Sequence, residues 1–247
     1  MLGVLKPLID VFAAILVFFY ELPMVHNFGT AIIMLTILVR VVLLPLTIKQ
    51  TKSMHDMQKL QPKLKELQAK HKDNKEKLQE EMMKFYAEHK VNPFGGCLPL
   101  ILQLPVFFSL FYVLLHPDQY LPAAYQESFK HAIFLGANLV STPAKYIPPP
   151  LGKASAMSAQ AIIAGIPYYI LVVLMVVTTY FQSKMMGGDP QQGKMMLFMA
   201  AFMAFIALRF PAGVLIYWVT TNSLTMVQQY FQLRPQESSG GQDGSRA

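Results

Sequence analysis

Long apolar runs separated by polar connections set the organisation of this chain. A helix needs about 20 predominantly apolar residues to cross the hydrocarbon core of a bilayer. The runs that meet or approach this length lie at residues 28–48, 98–115, 162–181, 195–208 and 214–231. The pattern therefore predicts an all-α, polytopic membrane protein with five transmembrane helices. The fourth run has only 14 residues, so we expect the bilayer around it to be locally thinned.

The N-terminal segment, residues 1–26, differs from the five runs. Its apolar stretch at residues 11–20 is too short to span a bilayer, and Lys6, Pro7 and Asp10 precede it. A signal peptide is the rival interpretation, but Glu21-Leu22-Pro23 stands where a small-residue cleavage site would be expected. We interpret residues 2–19 as an amphipathic helix that lies in the membrane interface.

Residues 49–91 form a lysine-rich segment with eleven lysines and seven acidic residues and no apolar run. Apolar residues recur at three- and four-residue steps on either side of a polar turn at residues 71–74. This predicts an antiparallel helical hairpin outside the membrane, with a break or bend at Pro62. Two interpretations stay open: a solvated hairpin without a specific partner, or a docking arm for acidic lipid headgroups, ribosomal RNA or a translocation component. The lysines that such an arm would use are Lys59, Lys63, Lys70, Lys72, Lys75 and Lys77.

Charge distribution predicts the orientation of the chain. The segment at residues 49–91 carries eleven lysines and the loop at residues 116–160 only three, and basic residues concentrate on the cytoplasmic side. The hairpin is therefore predicted to be cytoplasmic, with the N-terminus outside and the C-terminus inside. The connection at residues 184–194 and a disordered tail at residues 232–247 then also face the cytoplasm. The loop at residues 116–160 is expected to be irregular apart from one short helix at residues 128–134.

Composition agrees with a membrane protein and argues against an enzyme. The chain is 53% hydrophobic and 14% charged, with a net charge of +7 and a mean hydropathy of +0.36, whereas soluble domains are about 25% charged. The sequence contains no HExxH, GxSxG or P-loop motif. A single cysteine, Cys97, excludes an internal disulfide framework. No catalytic residue, metal site or cofactor is predicted.

Arg40 lies in the middle of the first apolar run, where a charge costs at least about 2.5 kcal/mol. None of the five runs contains an aspartate or a glutamate that could neutralise it. One interpretation is a structural arginine bonded to carbonyls that Pro45, Pro99 or Pro105 leave free. We favour a second, a water-filled cavity in which Arg40 receives an acidic residue of another protein.

Other polar residues of the apolar runs fit such a cavity. Thr36 shares a helical face with Arg40, and Gln103 lies in the second run. In the fifth run Trp218, Asn222 and Thr225 fall at i, i+4 and i+7, followed by Gln229 at i+11. Interhelical hydrogen bonds could account for any one of them, but a hydrophilic groove accounts for all. The predicted groove residues are Arg40, Thr36, Gln103, Trp218, Asn222 and Thr225.

Three motifs in this order resemble those of the YidC/Oxa/Alb membrane insertase family. The first is Arg40 with Pro45-Leu46-Thr47, Gln50 and Leu60-Gln61-Pro62. The second is Asn92-Pro93 with Gly96-Cys97-Leu98-Pro99, Gln103 and Pro105. The third is Phe210-Pro211-Ala212-Gly213 with Tyr217-Trp218, Asn222 and Gln228-Gln229. The resemblance runs from about Pro7 to Gln232.

The resemblance implies a bacterial insertase and chaperone of the cytoplasmic (inner) membrane. It also implies a groove that contains Arg40, open to cytoplasm and lipid and closed from outside. The partners it implies are nascent membrane protein clients and the lipid bilayer, with the Sec translocon, the ribosome and the signal recognition particle receptor as further candidates. No small-molecule substrate is expected. We also expect no large extracytoplasmic domain before the first span, no lipoprotein anchor and no ribosome-binding tail.

The rival hypothesis is a small-anion transporter with Arg40 as its substrate site. The repeats typical of secondary transporters are not visible in the sequence. An intramembrane enzyme would need a nucleophile and a base within the apolar runs, and the runs supply no such pair. We therefore favour the insertase.

Overall fold

The computed structural model describes residues 2–23, 25–72, 74–89, 98–147, 159–185 and 201–233. Several predicted features lie outside the described residues: the turn at residues 92–97 with Cys97, residues 195–200 of the fourth apolar run, and the tail from residue 234. The described part is mainly helical, as predicted, with one short antiparallel β-hairpin as an exception to the all-α prediction. Its elements are α1 (Leu2–Glu21), α2 (Phe28–Lys70), α3 (Lys75–Glu88), α4 (Leu98–Leu115), α5 (Pro117–Tyr120), α6 (Ala123–Lys130), β1 (Ile133–Phe134), β2 (Ala137–Asn138), a 3-10 helix (Pro143–Tyr146), α7 (Ala159–Met185), α8 (described at residues 201–207) and α9 (Ala212–Leu233).

Helix α2 combines the first apolar run with the first arm of the lysine-rich hairpin in 43 continuous residues. It begins at Asn27, whose side chain accepts a hydrogen bond from the Gly29 amide at 2.8 Å, an N-cap arrangement. The helix continues through both Pro45 and Pro62, so a break at Pro62 is wrong, and the alternative of a bend there stays a prediction. A proline removes only one hydrogen bond of the helical ladder.

Two of the described helices are long and apolar enough to cross a bilayer, at Phe28–Thr51 and Ala159–Met185. A shorter apolar helix covers Leu102–Leu115. Large apolar side chains of the first two are exposed rather than packed, such as Val42, which is 66% exposed, and Ile163, which is 65% exposed. Exposed apolar bands of this kind are typical of surfaces that face lipid. Five spans in total remain a prediction.

Helix α1 packs against both α2 and α4. Its buried residues Ile9, Phe12, Ala13 and Leu16 follow a three- and four-residue period. Beside this buried face Lys6 forms an exposed ion pair with Asp10 at 3.3 Å. The exposed side also carries the apolar residues Val11 and Phe18, and the amphipathic helix in the membrane interface stays a prediction.

The segment at residues 116–147 is more ordered than the predicted loop. The helix expected at residues 128–134 instead lies at Ala123–Lys130, and β1 and β2 follow it. Leu135 and Gly136 make the turn between the strands with φ of 48° and 82°, a region that favours glycine. We call this segment the outer cap. Its order comes from tertiary burial, which local sequence does not reveal: the buried side chains of the cap include Leu121, Phe129, Ala137 and Leu139.

The outer cap binds the beginnings of α2 and α9. Phe129 packs edge-on against Phe28, and the Asn27 side chain donates a hydrogen bond to the Ile133 carbonyl at 3.0 Å. At the other helix the amides of Ala212 and Gly213 donate to the carbonyls of Ser141 and Leu139, both at 2.9 Å. The cap therefore covers the ends of both helices that carry the polar residues of the predicted groove.

Candidate functional site

Helix α9 is the central element of the site, because it packs against α2, α4 and α7. Its contacts with α2 have a constant register. Arg40 reaches Thr221 and Thr47 reaches Gln228, and both pairs are 181 residues apart in sequence. The two pairs lie two helical turns apart along each helix and keep the same difference in residue number. Helices α2 and α9 therefore run parallel to each other, at nearly equal height.

Arg40 is half-buried on the face of α2 that contacts α9. Its Nη2 donates a hydrogen bond to the main-chain carbonyl of Thr221 at 3.3 Å. The hydroxyl of Thr225 donates to the same oxygen at 2.7 Å. The carbonyl that Arg40 contacts therefore belongs to α9 and is not one that Pro45, Pro99 or Pro105 sets free.

The guanidinium has more donors than the described structure uses. It carries five N–H groups, and within the described residues one of them is bonded. In the same part of the chain the ion pairs join other residues, and none of them involves Arg40. Arg40 is thus a charge in an apolar helix with free donors and without a resident carboxylate among the described residues.

Gln103 connects α4 to the same region of α9. Its Nε2 donates a hydrogen bond to the Tyr217 hydroxyl, and Tyr217 is 3% exposed and lies one helical turn before Thr221. Sequence reasoning missed Tyr217 as a site residue, although its position four residues before Thr221 places both on one face. Trp218 packs edge-on against Phe107 of α4, with 5.5 Å between ring centroids.

Thr36 and Asn222 have their polar groups bonded elsewhere. Thr36 is 1% exposed, and its hydroxyl donates to the Ile32 carbonyl of its own helix at 2.6 Å. The Asn222 side chain donates to the hydroxyls of Thr178 and Thr179 on α7 at 3.2 and 2.9 Å. The structure thus brings Arg40, Gln103 and Thr225 towards the Tyr217–Thr221 turn of α9, while Asn222 joins α9 to α7.

A second polar group lies further along the same two helices, and it was not among the predicted groove residues, although Thr47, Gln50 and Gln228 stand in the family motifs. Gln228 donates a hydrogen bond to the Thr47 hydroxyl at 3.0 Å. Gln50, one turn after Thr47, is 4% exposed, and Gln232 follows Gln228 by one turn. The signal in the sequence was the repeated glutamine at the ends of two apolar runs.

The hairpin formed by α2 and α3 presents its lysines to solvent. Lys59, Lys63, Lys70, Lys72 and Lys77 are exposed, and the side chain of Lys75 lies outside the described residues. On α3, Lys84 binds Glu80 at 2.8 Å. The hydrogen bond from Lys84 lowers the pKa of Glu80 and the same contact raises the pKa of Lys84. The described residues contain no group of three or more potential metal ligands.

A family model described as "60Kd inner membrane protein" matches residues 18–239 of the chain. The chain belongs to the YidC/Oxa/Alb family. The predicted resemblance is therefore confirmed, and with it membership of a family of membrane protein insertases.

Individual relatives agree with this assignment. The membrane protein insertase YidC of Syntrophus aciditrophicus (strain SB) is 41% identical over 209 residues, which are 84% of this chain and 33% of that protein. The YidC of Nitratidesulfovibrio vulgaris (strain DSM 19637 / Miyazaki F) is 39% identical over 229 residues, 93% of this chain and 38% of that protein. The crystal structure of an active YidC insertase with its first transmembrane domain resolved superposes with a TM-score of 0.60 at 29% identity, over 91% of this chain and 46% of that chain. The chain spans little more than a third of the length of these curated relatives.

Proposed function

We propose that this chain inserts client proteins into the membrane and acts as their chaperone. A polar N-terminal segment of the client enters a groove beside α2, α4 and α9, while the following apolar segment moves sideways into lipid. The observation that carries the proposal is Arg40: a half-buried cation in an apolar helix, with free donors and no carboxylate partner among the described residues. An acidic side chain of a client would supply the missing charge.

The outer cap supports a groove that is closed at one end. It binds the first residues of α2 and α9 through Phe129, Asn27 and the amides of Ala212 and Gly213. Beyond the cap, α2 exposes apolar side chains on both sides of the face that contacts α9, including Val41 and Val42. A client segment could therefore approach Arg40 from lipid or from the inner ends of the helices.

The reaction needs no nucleotide. Burial of client apolar surface contributes about 25 cal/mol per Å² removed from water. A membrane potential adds about 2.3 kcal/mol per charge per 100 mV for an acidic residue that moves outwards. Arg40 lowers the cost of holding that residue within the bilayer while the apolar segment leaves.

The proposed location is the bacterial inner membrane, with the N-terminus outside and the lysine-rich hairpin in the cytoplasm. The parallel course of α2 and α9 supports the number of spans, because parallel spans require an odd number of crossings between them. The remaining three predicted spans provide that number. Proposed partners are nascent membrane proteins and lipid, with the Sec translocon, the ribosome and the signal recognition particle receptor as candidates for the hairpin.

Reconstitution tests the proposal. Proteoliposomes that contain the purified chain should insert a single-span client with an acidic N-terminal segment, measured by protease protection of that segment. Liposomes without the chain set the background. Flux of small anions without client insertion would contradict the insertase and favour the anion transporter, since the free donors of Arg40 would also bind a small anion.

A further inference from the structure

The inner ends of α2 and α9 contain buried amide atoms without hydrogen-bond partners. Both the Oε1 and the Nε2 of Gln50 lack a partner in the described structure, and so does the Oε1 of Gln232. Gln50 is 4% exposed, so water does not reach most of its side chain. A buried polar group without a partner is costly, and more so within a bilayer. Such atoms at the ends of two adjacent helices are available to bind polar groups of another molecule.

Helix register places Gln50 and Gln232 at the same level. The offset of 181 residues seen for Arg40 with Thr221 and for Thr47 with Gln228 assigns Gln50 to position 231. Gln232 lies beside that position and follows Gln228 by one turn, so it shares the face of α9 that contacts α2. The pair of Thr47 and Gln228 lies between this level and Arg40. We call Gln50 and Gln232 the amide pair.

We infer that the amide pair binds the extended main chain of the client segment whose acidic residue occupies Arg40. A primary amide offers one acceptor and two donors, which match the C=O and N–H of a peptide group. A peptide segment that is extended within a bilayer needs such partners for its own main-chain groups. Main-chain recognition is also independent of client sequence, as an insertase with many clients requires. This inference rests on the proposed function and adds a second contact to it.

The spacing of the two contacts predicts the register of the client. Gln50 follows Arg40 by ten helical residues, about 15 Å at 1.5 Å per residue. An extended client advances about 3.3 Å per residue. The peptide group at the amide pair should therefore lie about four to five residues after the acidic residue at Arg40.

An amide-to-ester scan of a synthetic client tests the inference. The probe is a single-span peptide with one aspartate in its N-terminal polar segment, and its affinity is measured on the full chain in nanodiscs. An ester removes one main-chain N–H donor and weakens the carbonyl as an acceptor. We expect about fivefold weaker binding for an ester four or five residues after the aspartate, and no change for an ester elsewhere in that segment.

The variant Gln50→Leu identifies the partner of that peptide group. It should bind the all-amide peptide about fivefold more weakly and lose the sensitivity to the ester. Its melting temperature should stay the same or rise, because leucine replaces a buried amide without a partner. Gln229→Leu is the matched control: Gln229 is 6% exposed and its Oε1 also lacks a partner in the described structure. Gln229 lies two turns after Asn222, hence towards α7, so this variant should keep the ester sensitivity.

Each other outcome overturns the inference. If the wild-type chain binds and inserts the peptide with the same affinity whichever position carries the ester, no main-chain contact exists. Unchanged ester sensitivity in Gln50→Leu would place that contact elsewhere. A lower melting temperature in Gln50→Leu, or failure to fold, would assign Gln50 a structural role and overturn its part in the inference. Ester sensitivity that persists in Gln232→Leu would then overturn the part of Gln232. Absence of both binding and insertion by wild type would contradict the proposed function itself.

Discussion

The guanidinium of Arg40 and the hydroxyl of Thr225 donate to one oxygen, the main-chain carbonyl of Thr221, at 3.3 and 2.7 Å. Because Thr225 already bonds this carbonyl at the shorter distance, Arg40 is held at α9 by a weak contact only. The arginine is therefore oriented towards the space beside α9 without being neutralised there. This relationship makes Arg40 suited to a partner that arrives and leaves.

Addition of a single methyl group at Gly29 should displace the outer cap. A Cβ built at Gly29 would lie 2.2 Å from the Phe134 side chain, far closer than van der Waals contact. Gly29→Ala should therefore destabilise the protein by about 1–3 kcal/mol, measured as a lower melting temperature in detergent. Phe134→Ala in the same chain should restore part of the loss.

Gly3→Ala provides the matched control for this prediction. A Cβ at Gly3 has no atom within 4 Å, so its melting temperature should not fall. Equal melting temperatures for Gly29→Ala and wild type would contradict the packing of the β-hairpin on α2.

Asn222 should contribute to stability rather than to client insertion. Its side chain bonds both Thr178 and Thr179 of α7, and hydrogen bonds between membrane helices contribute about 0.6–2 kcal/mol each. Asn222→Ala should lower the melting temperature, and a double-mutant cycle with Thr179→Val should show the coupling. Insertion of acidic clients per folded molecule should be unchanged. Loss of insertion at an unchanged melting temperature would contradict this prediction and support Asn222 as a groove residue.

The exposed lysines of the hairpin should bind an anionic surface. Lys59, Lys63 and Lys70 share one face of α2 and are exposed. Each lysine near an anionic membrane contributes about 1 kcal/mol. The triple change to glutamine should therefore weaken sedimentation with anionic vesicles, and high salt should weaken wild-type binding in the same way. The same assay with ribosomes in place of vesicles separates the candidate partners.

Lys84→Gln is the control for the lysine variant. Lys84 already binds Glu80 and Glu81 on its own helix at 2.8 and 3.3 Å. Its removal should have less effect on vesicle binding than removal of any one of the other three. An equal effect would show that only net charge matters.

Sequence patterns predicted the regular helices well. The helix predicted at residues 98–115 is confirmed with the same bounds, and α7 and α9 extend the predicted helices by a few residues at each end. Apolar periodicity suffices here because the bilayer imposes a long, continuous hydrophobic signal. The order of the outer cap could not be predicted, because it depends on contacts with residues distant in sequence, such as Phe129 with Phe28.

The candidate site was predictable in part for a related reason. A charge without a partner is visible in sequence, so the position of Arg40 within an apolar run was enough to select it. The direction of a side chain on a helix that contacts three others is not visible, and Asn222 and Trp218 accordingly lie towards α7 and α4. Tyr217 was missed because a tyrosine in an apolar run is usually packing rather than chemistry.

The most direct test of the account is client insertion by Arg40 variants in proteoliposomes. Arg40→Ala should insert a client with an acidic N-terminal segment about tenfold to a hundredfold less well than wild type, since a hydrogen bond to a charged group contributes about 1.5–3 kcal/mol. Arg40→Lys should retain most of the activity, and all three proteins should insert a client whose acidic residues are replaced by asparagine equally well. Equal insertion of the acidic client by Arg40→Ala and wild type would remove Arg40 from the mechanism.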